Sequence, residues 1–247
     1  LILHRMRVWD FRTAAGPNAI VANSAFVARR IHKVYGRTAE VIHPPITLPT
    51  LRYDGPRANH FLVASRLVPY KNVEAVIRAF ALLPDLELVV AGSGPDAARL
   101  REIAGPNVTF SGFVPDAELR HLMATARAFI FAAEEDFGII VVEATSEGTP
   151  VLALGRGGAR ETVQTRGPQR TGMFFDVPEP EAIAECVRRF LLQESHFTRE
   201  ACWAQAETFS AELFRSRFSN FVDDQMALHR AACETRPRIV PRLEAVG

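Results

Sequence analysis

A chain of 247 residues with 48% hydrophobic and 23% charged side chains can bury a full core, which sets aside the disordered and fibrous classes. Its formal net charge of +1 supplies no broad field for nucleic acid, the local pairs Arg29-Arg30 and Arg188-Arg189 notwithstanding. Cys186, Cys202 and Cys233 lie far apart with no C-x-x-C spacing, and no apolar run reaches membrane-spanning length, so the composition points to reduced thiols in the cytoplasm rather than a disulfide framework, a zinc site or a membrane span. No signal peptide is visible, and because the first residue is Leu1 rather than Met, further sequence is expected upstream.

In chain order, residues 19–22 read as a short strand, Asn23-Ser24 as a helix N-cap, residues 25–35 as a helix with a basic outer face, and residues 39–42 as another short strand. Pro44, Pro45, Pro49 and Pro56 mark the following stretch as a linker, since proline breaks helices and stiffens extended chain. Strands are then expected over residues 60–65, 86–91, 107–111, 128–132 and 151–154. Helices fall between them over 72–83, 95–104 and 116–126, from near Gly138, and near Arg160. Residues 173–175 add a last strand, and 179–192, 199–207 and 211–231 read as closing helices. Strands alternating with helices predict an α/β fold built on a doubly wound parallel sheet. The resulting division is residues 1–45 as the end of an N-terminal domain, 46–57 as linker, 58–195 as a Rossmann-like domain, 196–231 as closing helices and 232–247 as a loose tail.

In such a sheet ligands bind at the carboxyl ends of the strands, and the unusual residues collect in those turns. They are Arg66 to Lys71-Asn72, Gly92-Ser-Gly94-Pro95, Gly112-Phe113-Val114-Pro115, Glu135-Asp-Phe-Gly138 and Gly155-Arg-Gly157-Gly158. Arginine offers phosphate a bidentate fork and lysine a point charge, and glycine lets backbone approach a ligand. The helix start at Gly138 exposes unpaired amides and the positive end of the helix dipole, which favour an anionic group. Taken singly, each turn also has a plainer reading. Arg66 and Lys71 fit solvated surface charges, Gly92-Ser-Gly94 fits a geometric turn and lacks the third glycine of G-x-G-x-x-G, Gly155 to Gly158 fits a simple turn, and Phe113 and Val114 fit core. Glu143 departs from this pattern, because an acid inside an apolar helix is costly to bury without a partner.

Glu135 and Glu143 stand at E-x7-E spacing, and with Phe137-Gly138, Glu143-Ala144 and Gly148-Thr-Pro150-Val151 they resemble the signature of glycosyltransferase family 4, the retaining GT-B enzymes. Arg66-Leu67 with Lys71, Ala91-Gly92-Ser-Gly94-Pro95, Phe110-Ser-Gly112-Phe113-Val114 and Gly157-Gly158-Ala-Arg-Glu161-Thr-Val163 are similar to the accompanying motifs, in the same order. Asn23-Ser24 and Val41-Ile-His-Pro-Pro45 are similar to the segment that closes the family's N-terminal domain. The resemblance implies that Arg66 and Lys71 bind the diphosphate of a nucleotide sugar, aided by amides near Gly138 and Ile139. It further implies that Glu135 holds hydroxyls of the transferred sugar, Glu143 the ribose, and backbone near Gly94 and Val114 the nucleoside. It implies a hexose donor, GDP-mannose or a UDP-sugar, a glycan or lipid-linked acceptor, no metal cofactor, no nucleic acid, and a place in polysaccharide biosynthesis in the cytoplasm that extends to the inner face of the membrane. Two glutamates could also suggest a hydrolase dyad, but a diphosphate departs without protonation, so both are assigned to binding. Ser65, Asn18, Thr145 and Glu147 depart from the family pattern. A binding module without transferase activity, or another GT-B enzyme such as an epimerase, is the alternative reading.

Overall fold

The computed structural model describes residues 2–234. An exposed helix α1 (Ile2–Thr13) precedes a small βαβ unit of β1 (Val21–Ala22), α2 (Ala25–Tyr35) and β2 (Glu40–Val41). The two strands pair in parallel, Val21 with Glu40 and Ala22 with Val41. The helix starts where the expected cap sits: Ser24 Oγ accepts the Val27 N–H at 3.1 Å, supplying one of the partners that a first turn lacks. It stops at Gly36, whose left-handed backbone lets its N–H reach His32 O.

The main sheet contains β3 (His60–Ala64), β4 (Glu87–Ala91), β5 (Val108–Gly112), β6 (Phe129–Phe131), β7 (Val151–Leu154) and β8 (Gly172–Phe175). All pairings are parallel and the order is β5-β4-β3-β6-β7-β8. The near-continuous apolar runs follow from burial on both faces. Along β3, Phe61 and Val63 point to one side and Leu62 and Ala64 to the other. Phe61 and Val63 pack with Val76, Ile77 and Phe80 of α3 (Val73–Ala81) and with Ile183, Val187 and Phe190 of α8 (Pro180–Leu191). Leu62 and Ala64 pack with Met123 of α5 (Asp116–Thr125) and with Val141 and Ala144 of α6 (Ile139–Ser146). The sheet is thus a middle layer between two sets of helices, completed by α4 (Ala97–Glu102), α7 (Ala159–Thr162), α9 (Arg199–Glu207) and α10 (Ala211–Glu234).

The expected strands and helices form, with ends shifted by a few residues. Three elements were not anticipated: α1 and the 3-10 turns Pro69–Lys71 and Glu194–His196. None of the α1 side chains is buried, so no apolar stripe marks it in the sequence. The expected tail is corrected at its start, because α10 continues through Glu234; residues 235–247 of that tail lie outside the described residues. No described helix is long and apolar enough to cross a membrane.

Two arginines lock the helix ends at the side of the sheet away from the turns described above. Arg57 donates to Ala126 O at 3.1 Å and Gly148 O at 2.8 Å, and Arg199 donates to Ala124 O at 2.8 Å and Gly55 O at 3.1 Å. Each cation sits where the last carbonyls of α5 and the turn after α6 need donors, and where the helix dipole is negative. Burial, and then the neighbouring Arg199, pull the Arg57 guanidinium down to about 10. Substituting Arg57→Ala strands two carbonyls and is expected to destabilise the fold by about 2 to 4 kcal/mol. Urea unfolding at neutral pH measures this, and an unchanged midpoint would show that the two carbonyls find other donors.

Candidate functional site

The sheet winds outward in both directions from β3 and β6, so the crevice at their carboxyl ends is the topological switch point of the fold. The turn after β3 carries Arg66 and Lys71, and the turn after β6 carries Glu135. Both turns are fixed from outside the crevice. Gly92-Ser-Gly94 lies directly on the first: Leu67 N–H donates to Ser93 O at 2.9 Å, and a Cβ on Gly94 would fall 2.2 Å from Leu67 O. Gly157, with φ of 62°, lies on the second in the same way, since a Cβ there would fall 2.3 Å from Glu135 O. These turns therefore need glycine for close backbone packing, which agrees with the geometric reading of Gly92-Ser-Gly94 and corrects the reading of Gly155 to Gly158 as a simple turn.

Lys71 ends the 3-10 turn, and Asn72 follows in the left-handed region with φ of 56°. The Asn72 amide donates to Ala132 O at 2.9 Å, which straps the Lys71 turn to the end of β6. The Lys71 ammonium then contacts the Glu135 carboxylate, whose Oε1 is shut off from solvent. Burial lowers the Lys71 pKa below the ordinary lysine value, while the adjoining carboxylate favours the ammonium. Beyond Glu135, Gly138 turns the chain with φ of 82° into α6. The first backbone bond of that helix runs from Val141 N–H to Gly138 O at 2.9 Å, so the Ile139 and Ile140 amides lie ahead of it, at the positive end of the dipole.

Two adjoining hollows open over this crevice. One, of about 650 Å³, is lined by Asn23, Arg66, Lys71, Glu135, Gly138 and Ile139 among others. The second, of about 470 Å³, is more apolar and is lined by Arg66, Gly94, Phe113, Val114, Leu119 and Ile140 among others. Arg66 and Ile140 belong to both walls, so the two hollows form one cleft with a charged half and an apolar half. The combination suits an elongated ligand with an anionic centre.

Seven of the eight predicted site residues, Arg66, Lys71, Gly94, Val114, Glu135, Gly138 and Ile139, line this cleft. Glu143 is absent from both walls: it lies one turn behind Ile139 on the same side of α6 and is half-buried. Burial raises its pKa, Arg120 opposes the rise, and Asp116 and Glu147 add to it. Phe113 is 80% exposed at the rim, which corrects its reading as core. The departure at Glu147 is also explained. Glu147 is 5% exposed and accepts from Arg120 at 2.9 Å, while Arg120 also donates to Asp116 at 3.0 Å, so the acid arrives with its cation.

Three contributors were not assigned roles from the sequence: Asn72, Asn23 and Glu161. Asn72 could have been suspected from its place next to Lys71 at a strand end. Glu161 lies inside a recognised motif, yet its partners are more than a hundred residues away. Its carboxylate accepts the Ala25 and Phe26 amides at 2.7 and 2.9 Å and stands 3.1 Å from His43 Nε2. Glu161 thus joins the start of α2 to the switch-point side of the sheet, and Arg30 of α2 adds an exposed ion pair to Asp136 at 2.9 Å.

Fold and cleft together define an α/β domain of the GT-B type with an open cleft at the switch point of its parallel sheet. The chain belongs to the family described as Glycosyl transferases group 1, which it matches over residues 55–208. It is 28% identical over 215 residues to a GDP-mannose-dependent alpha-(1-6)-phosphatidylinositol monomannoside mannosyltransferase of Mycobacterium tuberculosis, covering 73% of this chain and 54% of that protein. It is 37% identical over 130 residues to a GDP-mannose-dependent alpha-mannosyltransferase of Mycolicibacterium smegmatis, covering 52% of this chain and 33% of that protein. Among solved structures, sucrose-phosphate synthase from Thermosynechococcus elongatus superposes with a TM-score of 0.78 at 19% identity, over 91% of this chain and 62% of that one. The chain spans about half the length, 54%, of the first of these relatives.

The Glu161 contacts have a pH signature. Desolvation raises its pKa, but the Ala25 amide, His43 and the Phe26 amide together outweigh it, and the net shift is downward from the ordinary 4.5. A carboxyl held low in the folded state stabilises fully above its unfolded pKa and loses that contribution as pH falls through the folded value. Glu143 and Glu147 are shifted upward and act in the opposite sense. The comparison of wild type with Glu161→Gln isolates the Glu161 contribution. The stability difference between them is expected to be constant near neutral pH and to shrink below about pH 4.5. Parallel melting curves at all acidic pH values would show that the carboxylate charge does not hold α2.

Proposed function

We propose that the chain is the donor-binding part of a retaining glycosyltransferase that moves a hexose, mannose in the first instance, from a nucleotide diphosphate sugar to a glycan or lipid-linked acceptor. The observation that carries this is the convergence of Arg66, Lys71, Glu135 and the start of α6 on one hollow at the switch point. Bond cleavage at the anomeric carbon leaves charge growing on a nucleoside diphosphate. Fixed cations and helix-start amides meet that charge without proton transfer and without a resident metal. Arg66 and Lys71 take the diphosphate, Glu135 takes hydroxyls of the transferred sugar, and the apolar half between Gly94 and Val114 takes the nucleoside. Glu143 reaches the ribose from behind Ile139 when its side chain turns toward the cleft.

Relatives that use GDP-mannose support guanosine as the base, and a UDP-sugar is the alternative donor. The phosphatidylinositol mannosides in the names of several of these relatives support an acceptor at the membrane surface, with the reaction in the cytoplasm at the inner face, in the synthesis of a surface glycan. A thermal-shift panel of GDP-, UDP- and ADP-sugars against this chain tests the donor. A ligand at about 100 times its Kd raises stability by about 2.7 kcal/mol. GDP-mannose is expected to give the largest shift, and no shift with any of the three bases would sink the donor-site reading. In a protein with a complete acceptor domain, Lys71→Ala is expected to slow turnover by roughly 30- to 1000-fold, corresponding to about 2 to 4 kcal/mol of leaving-group stabilisation. Glu143→Ala is expected mainly to weaken donor binding. Normal steady-state kinetics in both variants would remove these residues from the site.

A further inference from the structure

The cleft receives one polar side chain from outside the main sheet. Asn23 sits on the turn between β1 and α2 and lines the same hollow as Lys71, Glu135 and Gly138. Its Oδ1 accepts the Ser24 hydroxyl at 3.2 Å, and Ser24 is fully buried because its Oγ also caps α2. The Asn23 amide is thereby oriented with its oxygen toward Ser24, which leaves its NH2 donors for the hollow. Asn23 is exposed, so a mobile turn would spread those donors over many positions.

Glu161 removes that freedom. The two amides it accepts belong to Ala25 and Phe26, the residues next after the Asn23-Ser24 pair, and its side chain is only 17% exposed. Glu161 itself stands in α7, three residues beyond Gly158, whose N–H donates to Glu135 O at 2.8 Å. A short covalent and hydrogen-bonded path therefore runs from Asn23 through Glu161 to the backbone that carries the Glu135 carboxylate. The two side chains face one hollow from different halves of the chain, and the Glu161 carboxylate is the tie bonded next to both of them.

We propose that Asn23 donates a hydrogen bond to a hydroxyl of the transferred hexose, and that Glu161 is the positioning residue that holds it there. This rests on the donor-site reading above. Asn23 then reads the sugar and not the nucleoside, since it shares a hollow with Glu135 and stands apart from the apolar half around Val114.

Calorimetric titration of this chain with GDP and with GDP-mannose, or with UDP and UDP-glucose if the uridine series binds better, tests it. The quantity of interest is the ratio of the two dissociation constants, bare nucleotide over nucleotide sugar. Asn23→Ala and the near-isosteric Asn23→Leu are expected to lower that ratio roughly tenfold, the loss of about one hydrogen bond to a sugar hydroxyl, with the affinity for bare nucleotide unchanged. Glu161→Gln is expected to lower the ratio in the same sense, and the Asn23→Ala, Glu161→Gln double variant to lower it no further than Asn23→Ala alone, since the second residue acts through the first. An unchanged ratio in both Asn23 variants overturns the proposal. Equal weakening of nucleotide and nucleotide sugar by Glu161→Gln reduces Glu161 to a purely structural tie and overturns its positioning role. Failure of the wild-type chain to bind either nucleotide or nucleotide sugar overturns the donor-site reading itself, a result distinct from either of these.

Discussion

The reversal of winding between β3 and β6 is the constraint on which the rest depends. To one side the chain adds β4 and β5, to the other β7 and β8, so the turns leaving the two central strands diverge and cannot cover the crevice between them. The charged side chains that the sheet presents at that crevice come from those two turns, with Arg66 and Lys71 on one and Glu135 on the other. The neighbouring turns serve them. Gly92-Ser-Gly94 and Gly157-Gly158 have no side chains to offer a ligand except Ser93, and their close backbone packing holds the charged turns in place.

Two of the charges at the crevice are paired with each other. Lys71 is too buried to remain a free ammonium at low cost, and Glu135 Oε1 is closed off from water; each gives the other a partner. An uncompensated charge at either position would be expensive, and an anion in the hollow would compete with Glu135 for the lysine. The same logic applies behind α6, where Glu147 is buried against Arg120. Glu143 has no such hydrogen-bonded cation among the described residues, and burial is the main cause of its upward shift. Hydroxyls of a bound ligand are the kind of group that would supply one.

The sequence revealed those features whose cause is local or repeats along the chain. β3 and β7 were readable because burial on both faces leaves apolar residues there, with His60 at the start of β3 the one exception. The start of α2 was readable because Ser24 caps it three residues away. Most of the site was readable because switch-point turns concentrate glycine, arginine and acids. What was hidden depends on contacts distant in sequence. Glu161 looks like one more helix residue until Ala25 and Phe26 are brought to it, and Glu147 looks like a misplaced acid until Arg120 is. Asn72 carries its information in a left-handed backbone and a bond to Ala132, neither of which has a pattern in residue type. Phe113 was placed by type alone and its surroundings put it at the rim; Glu143 was placed by motif spacing, which does not say how far its side chain stands from the cleft.

The small βαβ unit at the start of the chain bears on the cleft in a way that its size does not suggest. It buries little: no residue of α2 is buried. It is held instead by directional contacts. These are Glu161 on the α2 amides, Arg30 on Asp136, and His43 between Phe137 and Phe209 at centroid distances of 5.4 and 5.5 Å. Apolar burial would tolerate sliding by an ångström or two, because it depends on area and not on direction. Hydrogen bonds to a carboxylate do not tolerate it, since their strength falls steeply with misalignment. The proposed reading of a sugar hydroxyl by Asn23 requires the two walls to be held to within a fraction of that distance. A bonded tie at Glu161, close to both walls, provides that where a larger apolar interface would not.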